Sequence, residues 1–522
     1  MPYPFVSQST RVAVTAMWPL LGAVPRGDGS AEVRVWAPAA RSLAVRLESG
    51  VHHLEPAREG VFEGSVPGGA GDDYRLVLDG GEALPDPCSR FQPEGIRGPS
   101  RIVDTRFERA DWDGLSLDEL VVYELHVGTF SPSGTFDGVI ERLPALRALG
   151  VTAVELMPVA TFPGNRNWGY DGVYAYAPHP VYGGPDGLAR LIEAAHREGL
   201  GVLLDVVYNH IGPGSEAIAS FGPYFTDRHE TFWGDALDFG ERGVREWAIQ
   251  NAELWVRDYG IDGLRLDATH AVFDDGEPHV LAELAERVRA IEPRALVTAE
   301  METGDLRPIE AWGHDAQWAD AFHHVLHVLL TGEREGYYER YEPSVEALGR
   351  QLEREPARRL VFCSQNHDQV GNRALGDRPR PDELRLRAAA LLFAPQTPLL
   401  FMGEEYGERR PFQFFTDHID PAIAEATREG RRREFEHFSA FSGEEVPDPQ
   451  DPETFEQSKL DPAAGAGDEE LTAFYRRLLE LRRELPGELS WEADERAGVL
   501  RLRRGRAELV LDFGRRQVEL RA

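Results

Sequence analysis

Four strand ends that carry carboxylates or histidines set the chemistry of this chain. The run Gly263-Leu264-Arg265-Leu266-Asp267 closes an apolar strand on an arginine two residues before a carboxylate. Val297-Thr298-Ala299-Glu300 and Val361-Phe362-Cys363-Ser364-Gln365-Asn366-His367-Asp368 end alike, and Asp205-Val206-Val207-Tyr208-Asn209-His210 precedes them. Taken singly, an acidic residue at a strand end is commonly a helix cap or a surface charge. Four such ends in chain order point instead to one barrel mouth, and to a reaction that needs carboxyl groups on both sides of a bond. Cleavage of a bond between sugars is such a reaction.

That cleavage builds positive charge at the anomeric carbon and requires a proton on the leaving oxygen, so one carboxyl must be ionised and the other protonated. Asp267 suits the ionised role, because Arg265 projects on the same side of its strand and a nearby cation favours the charged form. Glu300 ends the next strand with a longer side chain, as a general acid requires. Asp368 adds a third negative charge that can help keep the acid protonated and bind ring hydroxyls. His210 and His367 lie at the same rim and can donate to those hydroxyls, as can His270, for which a loop-positioning role is the alternative. Tyr170, in Asn167-Trp168-Gly169-Tyr170-Asp171, offers an aromatic face to a sugar ring, with Trp168 packing beneath it.

The elements that position these residues read as strand–helix alternation from about residue 120. Apolar strands fall at 120–127, 151–157, 200–207, 261–267, 295–300, 316–322, 358–365 and 397–402, with amphipathic helices at 139–149, 188–197, 244–259, 280–291, 383–393 and, after a long insertion, 471–485. Eight units predict an α/β fold, a (β/α)8 TIM barrel spanning 98–485, with a short insertion after strand three. A doubly wound nucleotide fold needs a glycine-rich turn after its first strand, and Val127-Gly128-Thr129-Phe130-Ser131 lacks one. Short alternating strands in 1–97 predict an N-terminal β-sandwich, and 486–522 predict a short, abbreviated C-terminal β domain.

The balance of 56 basic against 89 acidic residues gives a net charge of −33, which repels nucleic-acid phosphates and anionic membranes but not a neutral sugar. No nucleic-acid or membrane partner is therefore expected. Cys88 and Cys363 form neither a disulfide framework nor a ligand cluster, which fits a reducing, cytoplasmic compartment. The histidines lack zinc spacing and Asp274-Asp275 gathers too few oxygens for calcium, so no metal or cofactor is expected. The apolar run from Val12 to Val24 follows Arg11 but has no cleavage-type motif and is broken by Trp18-Pro19, against a secretory signal.

Residues 205–210, 263–270, 297–300 and 366–368 resemble the four signature regions of the α-amylase superfamily of glycoside hydrolases. The resemblance implies Asp267 as nucleophile, Glu300 as acid/base and Asp368 as transition-state stabiliser in a retaining double displacement. Arg265, His210 and His367 match positions that contact the nucleophile or the sugar. Longer stretches are similar to a trehalose-releasing family within it, over about residues 20–485. They are Asn366-His367-Asp368-Gln369-Val370-Gly371-Asn372-Arg373, Phe322-His323-His324, Leu330-Thr331-Gly332-Glu333, Tyr123-Glu124-Leu125-His126-Val127-Gly128-Thr129-Phe130, Trp168-Gly169-Tyr170-Asp171-Gly172-Val173 and Pro411-Phe412-Gln413-Phe414-Phe415-Thr416-Asp417-His418. The implied substrates are maltooligosyl trehalose and related α-glucans. Phe414 and Phe415 are candidates for the trehalose end, with plain packing as their alternative. Met301-Glu302-Thr303-Gly304-Asp305 departs from the family's Asp/Asn-rich loop. A branching enzyme, which resembles this chain but has Ser-His-Asp-Glu at 366–369, and a non-catalytic glucan-binding protein are the competing readings. The assembly is left open between monomer and homodimer.

Overall fold

The computed structural model describes residues 18–231, 234–301, 305–435, 446–461 and 468–521. The part of the apolar run at residues 12–17 lies outside them, as do residues 302–304 of the loop after Glu300 and part of the long insertion before the last helix. At the centre, eight parallel strands close into a barrel: Val122–Leu125, Ala153–Leu156, Gly201–Val206, Gly263–Leu266, Leu296–Ala299, Ala316–Trp318, Leu360–Cys363 and Thr397–Phe401. The eighth strand pairs with the first through Leu399 opposite Val122, which completes the ring. All eight are buried along their length, so both faces are apolar apart from the charged groups aimed at one end.

The helices depart from the sequence reading in ways their residues explain. The single helix expected over 139–149 is two, Phe136–Ile140 and Leu143–Leu149, because Pro144 has no N–H to continue the first and fits the opening turn of the second. The sixth strand stops at Trp318, short of 322, because helix Ala321–Thr331 begins there. That helix is buried nearly all round, so it carried no amphipathic period. Past the third strand, residues 207–241 hold a hairpin of Phe225–Thr231 and Gly234–Leu237.

The N-terminal region forms an eight-stranded antiparallel assembly from Gly22–Pro25 to Ser100–Arg101, in which Gly50–Pro56 pairs with Leu43–Leu47 through Gly50 to Leu54 and with Val61–Pro67 through its last two residues. One strand thus passes between two sheets, as in a sandwich. It docks on helix Arg242–Leu254: Leu21 donates its N–H to Gln250 Oε1 at 2.9 Å, and Trp36 lies so close to Gly243 that a Cβ there would sit 2.1 Å from the indole. At the other end, Ser490–Asp494, Val499–Arg504, Ala507–Asp512 and Gln517–Arg521 form one antiparallel sheet. The first of these strands alternates exposed with half-buried residues. Trp491 of this strand packs on Gly349 and donates to Glu353 at 2.9 Å. No helix among the described residues is long and apolar enough to cross a membrane.

Candidate active site

Parallel closure brings the carboxyl ends of all eight strands to one face, and Arg265 is the hub of what gathers there. Its guanidinium is fully buried and binds three carboxylates: Nη1 donates to Asp205 Oδ2 at 2.7 Å and to Asp267 Oδ1 at 2.8 Å, and Nη2 donates to Glu300 Oε2 at 2.8 Å. The register sets this up, because Arg265 lies opposite Asp205 on the third strand and Thr298, two residues before Glu300, on the fifth. The guanidinium carbon stands 4.3 Å from the centre of the Trp318 ring, so the cation is also held by an aromatic face. A planar fork serving several acceptors is work that lysine cannot do.

Asp267 is fixed on its second oxygen by Asn209 Nδ2 at 2.7 Å. The next residue, Ala268, has φ 40 and ψ 52, a left-handed conformation that costs a side-chain-bearing residue about 1–3 kcal/mol. That turn aims the Ala268 N–H at Glu300 Oε2, 2.8 Å away, so the strain is matched by a bond to the second carboxylate. Asp368 is the second residue of the short helix His367–Gly371, capped by Asn366 Oδ1 accepting from Gln369 N at 2.7 Å. It accepts from Asn372 Nδ2 at 2.9 Å and lies 3.5 Å from His367 Nε2.

The structure brings Asp267, Glu300, Asp368, Arg265, Tyr170 and His367 together. Tyr170 meets the group with its hydroxyl, which donates to Asp205 Oδ2 at 2.6 Å and lies 2.7 Å from His367 Nε2. Gly169 allows this approach: its φ is +110, and a Cβ there would meet the Pro158 carbonyl at 2.2 Å. Other placements correct the sequence reading. His210 is buried, with its ring nitrogens facing Asn209 Oδ1 at 2.5 Å and the Tyr170 carbonyl at 2.9 Å, so it braces the clamp on Asp267 rather than facing open space. Phe415 is wholly buried among His126, Phe412 and Phe455 and cannot touch a sugar. Phe414 is half-buried, edge-on to Trp168 at 5.2 Å and under Arg431 at 5.5 Å. His270 is exposed in the turn Thr269–Ala271.

Several residues of this site were not singled out from sequence. Glu124 and Glu155 are buried carboxyls inside the first and second strands, and their signal was a charged residue inside an apolar run. Asp320 follows the sixth strand, where a misplaced strand end concealed it. Tyr337 is 68% exposed on the turn Gly336–Tyr338, in the electrostatic field of Asp368 and Arg431. Its neighbour Tyr338 anchors the turn by stacking on His327 at 4.4 Å and reaching His323 Nε2 at 3.3 Å.

Burial, joined by Asp267 for Asp205 and by Glu300 and Asp368 for Asp320, pushes both carboxyls up to about 7. Burial and the charges of Glu124 and Asp205 push Glu155 well above the usual range. Groups raised on folding stabilise the fold at low pH and lose that contribution as pH rises through the folded value. For Asp205 and Asp320 the loss runs from about 4 to 7, so the contribution of these two carboxyls to stability falls over that interval. Asp320→Asn should therefore gain melting temperature relative to the wild type as pH rises from 5 to 7 in scanning calorimetry, and a difference that stays constant over the interval would contradict the assignment of Asp320.

The barrel and its charged mouth are those of an α-amylase-type glycoside hydrolase, and a model of the alpha-amylase catalytic domain matches residues 101–230. A solved structure named as a putative alpha amylase from Salmonella typhimurium superposes with a TM-score of 0.86 at 36% identity, covering 95% of this chain and 93% of its own. The malto-oligosyltrehalose trehalohydrolase of Deinococcus radiodurans is 45% identical over 89% of this chain and 83% of its own length. That of Saccharolobus solfataricus is 40% identical over 86% and 84%. The chain belongs to the malto-oligosyltrehalose trehalohydrolase family.

Proposed function

We propose that this protein hydrolyses the α-1,4 bond next to the terminal α,α-1,1-linked pair of maltooligosyl trehalose, releasing trehalose and a shortened maltooligosaccharide. The observation that carries the reading is the shared arginine: Asp267 and Glu300 grip neighbouring nitrogens of one guanidinium. A common small cation favours the close carboxyl spacing of retaining enzymes, about 5–5.5 Å, over the gap of about 6.5–9.5 Å that inverting enzymes leave for water. In the first step Glu300 gives its proton to the glycosidic oxygen as the bond to the anomeric carbon breaks and Asp267 forms an ester with that carbon. Trehalose leaves as a neutral alcohol whose new hydroxyl carries that proton, and Glu300 is left as the carboxylate. In the second step Glu300 takes a proton from water, whose oxygen attacks the anomeric carbon and displaces Asp267, so configuration is retained. Asp368, with the surrounding excess of carboxyl groups over the cations Arg265 and His367, favours the positive charge in between.

Product analysis tests the reading. Maltooligosyl trehalose should yield free trehalose, with slow attack on plain maltooligosaccharide. New α-1,6 branches from an amylose-type substrate would replace hydrolysis with transfer, and neither product from folded protein would leave a binding role. Tyr337 is exposed and feels the charges of Glu434, Asp368 and Arg431, and we infer that its ring stacks on a sugar of the bound glucan. An aromatic contact worth about 1 kcal/mol corresponds to roughly fivefold in affinity. Tyr337→Ala should therefore raise KM about that much with kcat nearly unchanged. An unaltered KM would remove Tyr337 from the binding surface.

A further inference from the structure

We propose that Glu124 is a positioning residue for this reaction, gripping His367 at two points and orienting a hydrogen-bond chain that ends on the carboxylates at the barrel mouth. The inference rests on the reading that Asp267, Glu300 and Asp368 perform the chemistry. Glu124 lies inside the first strand between Tyr123 and Leu125, 1% exposed, where an uncompensated charge is costly and no step of the reaction calls for one. Its Oε1 is 2.5 Å from His367 Nδ1, and its Oε2 accepts the His367 backbone N–H at 2.9 Å. Gripping both ring and backbone fixes the side-chain rotamer as well as the position of the residue.

The direction of the chain follows from which atoms hold protons. A carboxylate only accepts, so His367 Nδ1 carries a hydrogen. At the far end, Asp205 Oδ2 already accepts from Arg265 Nη1 at 2.7 Å, so the proton between it and the Tyr170 oxygen belongs to Tyr170. The Tyr170 oxygen is then free to accept from His367 Nε2 at 2.7 Å. Both ring nitrogens therefore donate, and His367 is an imidazolium. The chain runs from Glu124 through His367 and Tyr170 to Asp205, which shares Arg265 with Asp267 and Glu300. A branch places the cationic Nε2 3.5 Å from Asp368.

The charged and titratable groups facing this ring come from every side. They are Glu124 and His126 at the first strand and its turn, Glu155 on the second, Tyr170 in the loop beyond it, Asp205 on the third, Arg265 on the fourth, and Asp320 and Asp368 after the sixth and seventh. Burial alone would lower the imidazole, but the charges of Asp368 and Glu124 outweigh it and raise His367 to about 10. His126, buried against Thr129, the Asn167 carbonyl and Tyr182, is lowered to about 4 by that burial.

Glu124→Gln keeps the shape but turns an amide donor toward one of the two N–H groups of His367. We expect kcat to fall about 10–100-fold, the scale of other carboxylate–histidine positioning pairs, with KM within about threefold. The kcat profile, unaffected by His367 between pH 6 and 9 in the wild type, should acquire an alkaline loss with its midpoint below 8. In Glu124→Ala, formate should restore part of kcat, which a merely structural role would not allow. Nitrogen-15 NMR of labelled histidine, using no substrate, should show an imidazolium at pH 8 in the wild type and a neutral ring in Glu124→Gln. A neutral His367 in the wild type, or wild-type kcat in Glu124→Gln, would overturn the proposal. Failure of the wild type to release trehalose, with the imidazolium signal present, would count against the functional reading and leave the grip of Glu124 supported.

Discussion

Glu300→Gln should lose about 10²–10⁴-fold in kcat on maltooligosyl trehalose, the range that a positioned general acid contributes, while binding the substrate within a few-fold of the wild type. The amide oxygen can stand where Oε2 stands and still accept from Arg265 Nη2 and Ala268 N, so the architecture has no reason to change. What disappears is the proton for the leaving oxygen. A glycosyl fluoride, whose leaving group needs no such proton, should therefore be turned over by the variant with a much smaller deficit. Azide should then intercept the ester on Asp267 and give a glycosyl azide of retained configuration, because azide needs no general base to attack. Steady-state kinetics on both substrates, with product configuration by NMR, reads all of this. Equal losses on the natural substrate and the fluoride would mean that Glu300 holds the sugar rather than protonating the bond.

The barrel was legible because its signal is local. Each strand is a short apolar run, and Asp267 and Glu300 sit where two such runs stop, while Asp368 lies in the short helix that follows the seventh. The residues that hold them were harder to read because their partners are remote. Glu124 meets His367 from 243 positions away, and nothing near Glu124 in the chain announces that bond. A charged side chain in a strand interior was the available sign, since such a residue must find a partner or lose its charge. Phe415 shows the reverse error: an aromatic beside a functional loop looks the same in sequence whether it faces a sugar or fills the core. Helix Ala321–Thr331 was lost for want of a polar face, and Asp320 with it.

Arg265 carries the largest structural consequence. Replacing it with Met keeps roughly the volume and removes the one cation that Asp205, Asp267 and Glu300 share. Breaking a buried ion pair by removing one partner costs about 3–5 kcal/mol, because the remaining charge stays buried without compensation. Here three carboxyls are left, and the Trp318 face loses its cation as well. The melting temperature should fall by many degrees, and kcat should fall at least as far as in Glu300→Gln, since Asp267 and Glu300 both lose their anchor. Arg265→Lys separates charge from geometry. An ammonium keeps the positive charge but is a compact point that cannot reach along two arms toward opposite carboxylates. It should recover much of the melting temperature and little of the activity. Calorimetry and kcat on the two variants decide the matter: a lysine variant with wild-type turnover would show that the mouth needs only a cation, and that the fork does not set the spacing of the two carboxylates.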